Sequence, residues 1–465
     1  RALAMGALDA SWVEDLPSRR VLIMGLARTG RAVAAALVRR GATVVGTDLT
    51  EPAGLAEEIP PEVALELGGH KEKTFRRSDL LIVSPGIPAT NRYIAIAIAS
   101  GAEVITEIEL AYRLSAAPII AVTGTNGKTT TTAMLGEVLG EAGFRAPVGG
   151  NIGNPLISLV ENDGESADFL VSEVSSFQLE WAPTLRPKVA VITNVTPDHL
   201  DRHPDLEDYV ALKARILANQ KKRDAKVLNA DDPLTARYLT SGAQTAFAFS
   251  RKIAPERGTF VEGGEVFIVD DGCRNRICAV ADLSVKGVHN LENFLAVCAA
   301  AHCLGVTPKA MERLARRFRG LPHRMETVGR IRGVQWVNDS KGTNVGATSR
   351  SIESIEGRVL LIAGGTDKGS DLSPLAEPVK ERVRRMYLIG DAAERFARFF
   401  EGLVPLERAG RLEEAMRRCA DEAKEGETVL LSPACSSFDQ FRDYEHRGDV
   451  FCGAVRALEK EEIPC

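Results

Sequence analysis

The sequence predicts an α/β protein of three successive parallel-sheet domains, and three observations carry that expectation. Short apolar runs that read as buried strands recur along the chain and are followed by turns and helix-like stretches. Glycine-rich turns stand at strand-to-helix junctions near residues 25–30 and 124–127. The length of 465 residues suits about three domains of roughly 150 residues each. The expected divisions are 1–110, a Rossmann-like domain; 111–320, a P-loop ATPase-type domain; and 321–465, a second Rossmann-like domain.

In the first segment, 20–24 reads as a buried strand and Gly25-Leu26-Ala27-Arg28-Thr29-Gly30 as the turn after it. An alanine-rich helix then runs to Arg40, and a second strand, 42–48, ends in Asp48. The pattern is that of a dinucleotide-binding βαβ unit, except that Ala27 replaces the glycine that lets backbone touch a pyrophosphate. A dehydrogenase would place Asp48 on an adenosine ribose, and an ordinary α/β domain would use it as a strand-end cap. The preferred reading is a domain that holds another diphosphate at the same helix N-terminus. A further strand, 79–83, opens into Ser84-Pro85-Gly86-Ile87-Pro88, where a parallel sheet lines its ligand crevice.

The second segment contains the most informative stretch. The apolar run 118–123 leads into Gly124-Thr125-Asn126-Gly127-Lys128-Thr129-Thr130 and then into a helix. Glycines let backbone N–H groups approach phosphate oxygens, and the helix N-terminus adds positive potential. Lys128 would neutralise β/γ-phosphate charge and Thr129 would offer its hydroxyl to Mg²⁺. Val122 stands where the longer phosphate-loop pattern has its first glycine, so the match is to the shorter form. Strands 168–172 and 188–193 end at Glu173 and Asn194. If both are parallel neighbours of the loop strand, their ends converge on the phosphates, with Glu173 holding Mg²⁺. His199, beside Asp198, reads equally as a metal ligand or as a surface histidine. Lys213, on an expected helix 206–219, reads from spacing alone as a solvated lysine, with a phosphate bridge as the alternative. Residues 260–269 read as a β-hairpin, and His289-Asn290 opens a helix over 291–304.

In the third segment, strands 334–337, 359–363, 386–389 and 428–431 each precede a turn. Polar loops rich in Lys, Ser and Thr follow three of them, at 338–344, 364–369 and 432–437. Gathered on one sheet edge, they would form a crevice for a carboxylate or phosphate.

Composition narrows the class further. Hydrophobic residues make up 45% and charged residues 26%, with a net charge of −5, so no nucleic-acid partner and no anionic membrane surface is expected. No stretch approaches the roughly 18 apolar residues that would span a bilayer. Residues 1–17 carry Asp9, Glu14 and Asp15 without an apolar core, so no secretory signal is expected there. Eight cysteines without a CxxC pair read as reduced thiols of a cytoplasmic protein.

Taken together, the motifs resemble the Mur ligase family of bacterial cell-wall synthesis. The resemblance is carried by 123–129, Gly149-Gly150-Asn151-Ile152-Gly153, 173–179, Asn194-Val195-Thr196-Pro197-Asp198-His199-Leu200-Asp201, His289-Asn290-Leu291-Glu292-Asn293, His323-Arg324-Met325-Glu326, 339–344 and 431–434, in family order over nearly the whole chain. Residues 84–87, 364–369 and 432–441 look like the members that add D-glutamate. The resemblance implies an ATP-dependent ligase, acting as a monomer with one or two Mg²⁺ ions on UDP-N-acetylmuramoyl-L-alanine and D-glutamate, through an acyl phosphate. It implies that residues 124–130 with Asn290, Asn293, Arg324 and Asp339 bind ATP, and that Thr129, Glu173, His199 and a carbamylated Lys213 hold metal. Lys128, His199, Lys213 and Lys341 would be catalytic. Arg28, Thr29, Leu49, Thr50, Ser84, Gly86 and Asn151 would hold the UDP substrate, and Thr343, Lys368, Ser437, Phe438 and Tyr444 D-glutamate.

Three positions depart from the family pattern. Tyr444 replaces Phe, with similar packing expected; Leu49 replaces a small hydroxyl residue near the uracil; Pro197 is a variant in the histidine loop. The competing readings are a sister ligase for another amino acid, a folylpolyglutamate synthase, a non-catalytic nucleotide-binding scaffold and a dehydrogenase. The first segment counts against the synthase, which lacks it. The retained Lys128, Glu173, His199 and Lys213 count against the scaffold, and Ala27 against the dehydrogenase.

Overall fold

The computed structural model describes residues 10–49, 58–151, 153–196, 205–367 and 369–461. Thr50, His199 and Lys368, together with Ile152 and Pro197, therefore lie outside the described residues. The chain divides into two compact units, residues 1–318 and 319–465, and the first contains two separate sheets. No helix among the described residues is long and apolar enough to cross a membrane.

The first sheet has the order β3-β2-β1-β4-β5, all parallel. Its strands are β1 (Arg20–Met24), β2 (Thr43–Thr47), β3 (Ala64–Glu66), β4 (Leu80–Val83) and β5 (Glu103–Ile105). Apart from the exposed Arg20, the central pair β1 and β4 are continuous buried apolar runs, as expected of a parallel sheet covered on both faces. The short strands β3 and β5 escape a sequence reading, since three residues carry no period.

The second sheet has nine strands in the order β14-β13-β12-β11-β10-β9-β6-β8-β7. They are β6 (Ile119–Thr123), β7 (Val148–Gly150), β8 (Leu170–Glu173), β9 (Val189–Ile192), β10 (Ala225–Asn229), β11 (Thr245–Ser250), β12 (Gly258–Glu262), β13 (Glu265–Asp270) and β14 (Cys273–Ala279). β8 and β9 flank β6 on either side, both parallel to it. The expected hairpin is β12–β13, closed by Gly263 and Gly264 at φ 58° and 77°. Paired left-handed residues match the turn's twist to that of the strands. Three expectations need correction. Glu173 is the last residue of β8 and not beyond it. The helix bearing Lys213 spans Leu206–Ala214 and tightens into a 3₁₀ turn at Arg215–Leu217 instead of running to 219. The helix bearing Asn293 starts at Val288, because Gly287, at φ 102°, breaks the chain just before it.

One apolar cluster joins the two sheets, from Ile23 and Leu37 through Ile108 and Leu114 to Ile119 and Leu170. The helix Glu107–Leu114 lies in that seam. Glu107 is buried there, and one carboxylate oxygen accepts from Ile157 N at 2.6 Å. Burial pushes the Glu107 carboxyl up to about 7, against the pull of the Ile157 and Leu156 amides. Glu109, also buried, accepts from Arg113 Nε at 2.7 Å, Leu185 N at 3.0 Å and Thr184 N at 3.1 Å. The buried charge is thereby paired and hydrogen-bonded at once.

The second unit is a six-stranded sheet in the order β15-β16-β20-β17-β18-β19. Its strands are β15 (Glu326–Ile331), β16 (Val334–Asn338), β17 (Val359–Gly364), β18 (Val383–Ile389), β19 (Leu406–Gly410) and β20 (Thr428–Leu431). All pairs are parallel except the β15–β16 hairpin. β16, β20 and β17 are adjacent, so their C-terminal loops share one edge. Arg447, on the helix Tyr444–Glu461, clamps two of these loops. Its side chain is buried and donates to Ser340 Oγ at 3.0 Å, Ser340 O at 2.8 Å, and the carbonyls of Cys435 and Ser436 at 3.3 Å. Burial lowers the guanidinium to about 10, so it stays charged at neutral pH.

Two outcomes are expected. The Glu107 carboxyl is raised from an unfolded value of 4.5 to about 7 in the fold, so the folded state binds the extra proton between those limits. Stability therefore falls as pH rises from 4.5 to about 7 and stays low above it, by on the order of 3 kcal/mol. Glu107→Gln should raise the melting temperature at pH 8 and leave it nearly unchanged at pH 4.5; equal gains at both would contradict the assignment. Arg447→Met should leave loop carbonyls unsatisfied and cost about 3 kcal/mol. Amide hydrogen exchange across 428–440 should accelerate in that variant and be partly restored in Arg447→Lys.

Candidate active site

β6 ends at Thr123, and the loop that follows enters the 14-residue helix Lys128–Glu141 through Gly127, at φ 82°. Gly124 sits at φ 145°, and a Cβ there would collide with the Thr193 hydroxyl, while one on Gly127 would collide with Asn293 Oδ1. Only glycine meets both the backbone angles and the close approach. The loop is held from β9: Thr125 N donates to Asn194 O at 2.8 Å and Asn126 N to Asn194 Oδ1 at 3.0 Å. Thr193 Oγ1 donates to Asn126 O at 2.6 Å.

Two ammonium groups meet on one loop carbonyl. Lys128 Nζ donates to Gly124 O at 3.0 Å and to Thr125 O at 2.9 Å, and Lys213 Nζ donates to Gly124 O at 2.9 Å. Lys213 is 2% exposed, with Nζ 4.4 Å from the Tyr209 ring centroid. The solvated-lysine reading of Lys213 is thus overturned: spacing along one helix carries no information about what a neighbouring loop buries. Thr129 and Thr130 follow Lys128 in the first helical turn, and Thr131 Oγ1 donates to Asn293 Oδ1 at 3.3 Å. Asn290 lies a turn earlier on that second helix, with Nδ2 donating to Lys286 O.

On the other side of β6, the end of β8 carries Glu173, 2% exposed. Its Oε1 accepts from Asn151 Nδ2 at 3.1 Å, and its Oε2 is buried with no hydrogen-bond partner among the described residues. An unsatisfied carboxylate oxygen is costly unless a cation completes it. Among the described residues no group of three His, Cys, Asp or Glu side chains is arranged for a metal ion. A carboxylate oxygen is a ligand that suits Mg²⁺. The Gly149-Gly150-Asn151 stretch is the end of strand β7 and the residue after it, a strand that the sequence reading did not foresee; it places Asn151 against Glu173.

In the first sheet, Arg28 and Thr29 open the helix Arg28–Val38, whose first turn has no side-chain cap. Asp48 Oδ2 accepts from Leu26 N at 2.8 Å, which pins the turn in the manner of the strand-end reading. Ser84 and Gly86 follow β4, and Ser84 packs against Gly25. Leu49 is 66% exposed at the same edge.

In the second unit the strand-end loops converge. Asp339 Oδ2 accepts from Ser351 Oγ and Ser432 Oγ, both at 2.7 Å, and Ala434 N donates to Gly342 O at 2.8 Å. Burial raises the Asp339 carboxyl above the usual carboxylate range, and the two serine hydroxyls hold it back. Arg324 lies between His323 and Met325, which adopt φ 61° and 46°. Such angles in non-glycine residues cost about 1–3 kcal/mol each and need surrounding support. Support for His323 comes from its N–H on Glu326 Oε2 at 2.9 Å and its Nδ1 on Asn338 Nδ2 at 2.9 Å. Lys341 Nζ donates to the Tyr444 hydroxyl at 3.1 Å. Thr343 is partly buried, Ser437 is buried and Phe438 is 72% exposed. Sequence reasoning missed Arg447, Asn338 and Thr193, and no local signal marks them, since their partners are distant backbone or side-chain groups.

Comparison with known proteins fits this geometry. Three family models match in order: a Mur ligase MurD-like N-terminal domain over residues 19–106, a Mur ligase middle domain over 122–301, and a Mur ligase glutamate ligase domain over 323–435. A UDP-N-acetylmuramoylalanine–D-glutamate ligase from Geobacter metallireducens is 46% identical over 97% of this chain and all of its own length. A protein of the same name from Pelotomaculum thermopropionicum is 43% identical over 96% of this chain and all of its own. Among solved structures, the UDP-N-acetylmuramate-alanine ligase from Thermotoga maritima shares the fold with a TM-score of 0.60 at 20% identity, covering 96% of this chain and all of that one. A pseudomurein peptide ligase type C from Methanothermus fervidus does so at 0.56 and 20%, covering 95% and 99%. Matched by all three domain models in order and by close relatives along nearly its entire length, the chain belongs to the Mur ligase family.

Proposed function

We propose that the protein is an ATP-dependent ligase that joins D-glutamate to the L-alanyl carboxyl of UDP-N-acetylmuramoyl-L-alanine in peptidoglycan precursor synthesis. The observation that carries the ATP-dependent chemistry is the meeting of Lys128 and Lys213 on the Gly124 carbonyl, with a buried Glu173 oxygen at the end of the neighbouring strand that has no hydrogen-bond partner among the described residues. Concentrated positive charge at a helix N-terminus favours a polyphosphate. The choice of D-glutamate rests on the names of the relatives.

In this reading the alanyl carboxylate attacks the γ-phosphorus of ATP, the bond to the bridging oxygen breaks, and ADP leaves an acyl phosphate. The D-glutamate amine then adds to the acyl carbon, loses a proton, and the tetrahedral adduct expels inorganic phosphate. Charge moves among oxygens throughout, so catalysis is largely electrostatic positioning. Lys128 and the loop amides hold the phosphates. Thr129, Glu173 and His199 would hold Mg²⁺, which when bound neutralises phosphate charge. Lys213 is proposed to lose a proton from its ammonium and then, as the amine, to react with CO₂ to give a carbamate and a second proton. That replaces one of two mutually repelling cations by an oxygen ligand. Asn290, Asn293, Arg324 and Asp339 are assigned to the nucleotide. Arg28, Thr29, Leu49, Thr50, Ser84, Gly86 and Asn151 are assigned to the UDP substrate, and Lys341, Thr343, Lys368, Ser437, Phe438 and Tyr444 to the acyl phosphate and D-glutamate. The domain division at 110 and 320, a monomeric state and a cytoplasmic location complete the proposal.

Phosphate release from ATP and UDP-N-acetylmuramoyl-L-alanine should require D-glutamate and fail with L-glutamate, L-alanine or L-lysine. Release with another of these amino acids would move the chain to a sister ligase, and release with none would favour the scaffold reading. Lys213→Ala should lose on the order of 100-fold or more in kcat. Short carboxylates such as acetate should restore part of it, and full activity without them would remove Lys213 from the site.

A further inference from the structure

Tyr444 is the first residue of the helix Tyr444–Glu461, and it meets Lys341 in two ways. Lys341 Nζ lies 4.8 Å from the ring centroid, and it donates to the phenolic oxygen at 3.1 Å. The phenol in turn donates to Glu445 Oε1 at 2.9 Å, and Glu445 lies at the surface. An ordered relay therefore runs from ammonium to hydroxyl to carboxylate. Burial, and then the Glu445 carboxylate, pushes the Tyr444 phenol up to about 12, so it stays neutral and able to donate and accept together.

Both partners of the relay are fixed through the backbone. Ser340 Oγ donates to Tyr444 O at 2.8 Å, and Lys341 N donates to His323 O at 3.0 Å. The His323 ring meets the Tyr444 ring edge-on at 6.3 Å. A phenylalanine at 444 would keep the ring face for the ammonium and lose the relay. The expectation that Tyr444 is equivalent to Phe in packing therefore leaves out what its hydroxyl does.

We propose that the Tyr444 hydroxyl is a positioning group that holds the Lys341 ammonium at the end of β16, ready for an incoming anion. Lysine is a flexible point charge, and immobilising it beforehand removes an entropic cost from anion binding. The identity of that anion, a D-glutamate carboxylate or the acyl phosphate, rests on the proposed ligase activity; the relay itself does not.

Competitive acetylation of the full chain without substrates, with peptide-resolved detection, tests the relay. Lys380 and Lys424, exposed on the same unit, serve as internal references. Tyr444→Phe should raise the relative labelling rate of Lys341 about threefold or more, since one charge-assisted hydrogen bond is lost. Glu445→Gln, which keeps the hydroxyl and removes the charge behind it, should raise the rate by less. In turnover, Tyr444→Phe should raise KM for D-glutamate several-fold with KM for ATP and the melting temperature unchanged. Unaltered Lys341 labelling in both folded variants would overturn the proposal. Altered labelling in a chain that does not use D-glutamate would uphold the relay and remove the D-glutamate reading.

Discussion

The carbonyl of Gly124 is the point on which the central domain turns. It accepts from two ammonium groups, Lys128 and Lys213, just past the end of β6, which lies between the parallel neighbours β8 and β9. Two like charges on one acceptor at a largely buried site favour negative charge nearby. Much else is arranged around that demand. Gly124 and Gly127 are glycine because their angles and the nearness of Thr193 and Asn293 admit no side chain. β8 and β9 flank β6, which sets Glu173 on one side and the Asn194 clamp on the other.

The C-terminal unit solves a related problem with a different cation. Loops at parallel strand ends turn back-to-back carbonyls inward, and these need donors. Arg447 supplies a planar fork that satisfies the carbonyls of Ser340, Cys435 and Ser436 together, which a lysine's single ammonium could not span as well. The same frame keeps Ala434 at φ 56° and holds Arg324 between two other left-handed residues. Asp339, buried among serine hydroxyls, ties β16 to β20.

The first sheet shows how a familiar pattern can be turned to packing. The acid at the end of β2, where a dinucleotide domain would contact a ribose, caps the Leu26 amide. Gly30 permits the helix to touch the Gly25 carbonyl, where a Cβ would clash. The turn's geometry survives without the second glycine because Ala27, just before the helix, sits at φ −66° and ψ −176°, an extended conformation open to any L-residue.

The sequence by itself determined the three α/β segments, most long strands and the phosphate loop, because each is written in contiguous residues. An apolar run such as 359–363, a Gly-x-x-Gly-Lys-Thr turn or a Gly-Gly hairpin needs no distant partner to be recognised. The convergence of 338–344, 364–369 and 432–437 was foreseeable as a condition on strand order, and the order β16-β20-β17 meets it. What only the tertiary structure decided concerns groups whose partners lie far along the chain. Lys213 is buried because Gly124, 89 residues away, offers its carbonyl. Arg447 reaches Ser340 across 107 residues, and Tyr444 reaches Lys341 across 103. β3, β5 and β7 are too short to carry a period and exist through the ladders they join. Local pattern records backbone preference and the buried face, whereas the energy of a buried charge depends on the atoms that surround it, and those are assembled only by folding.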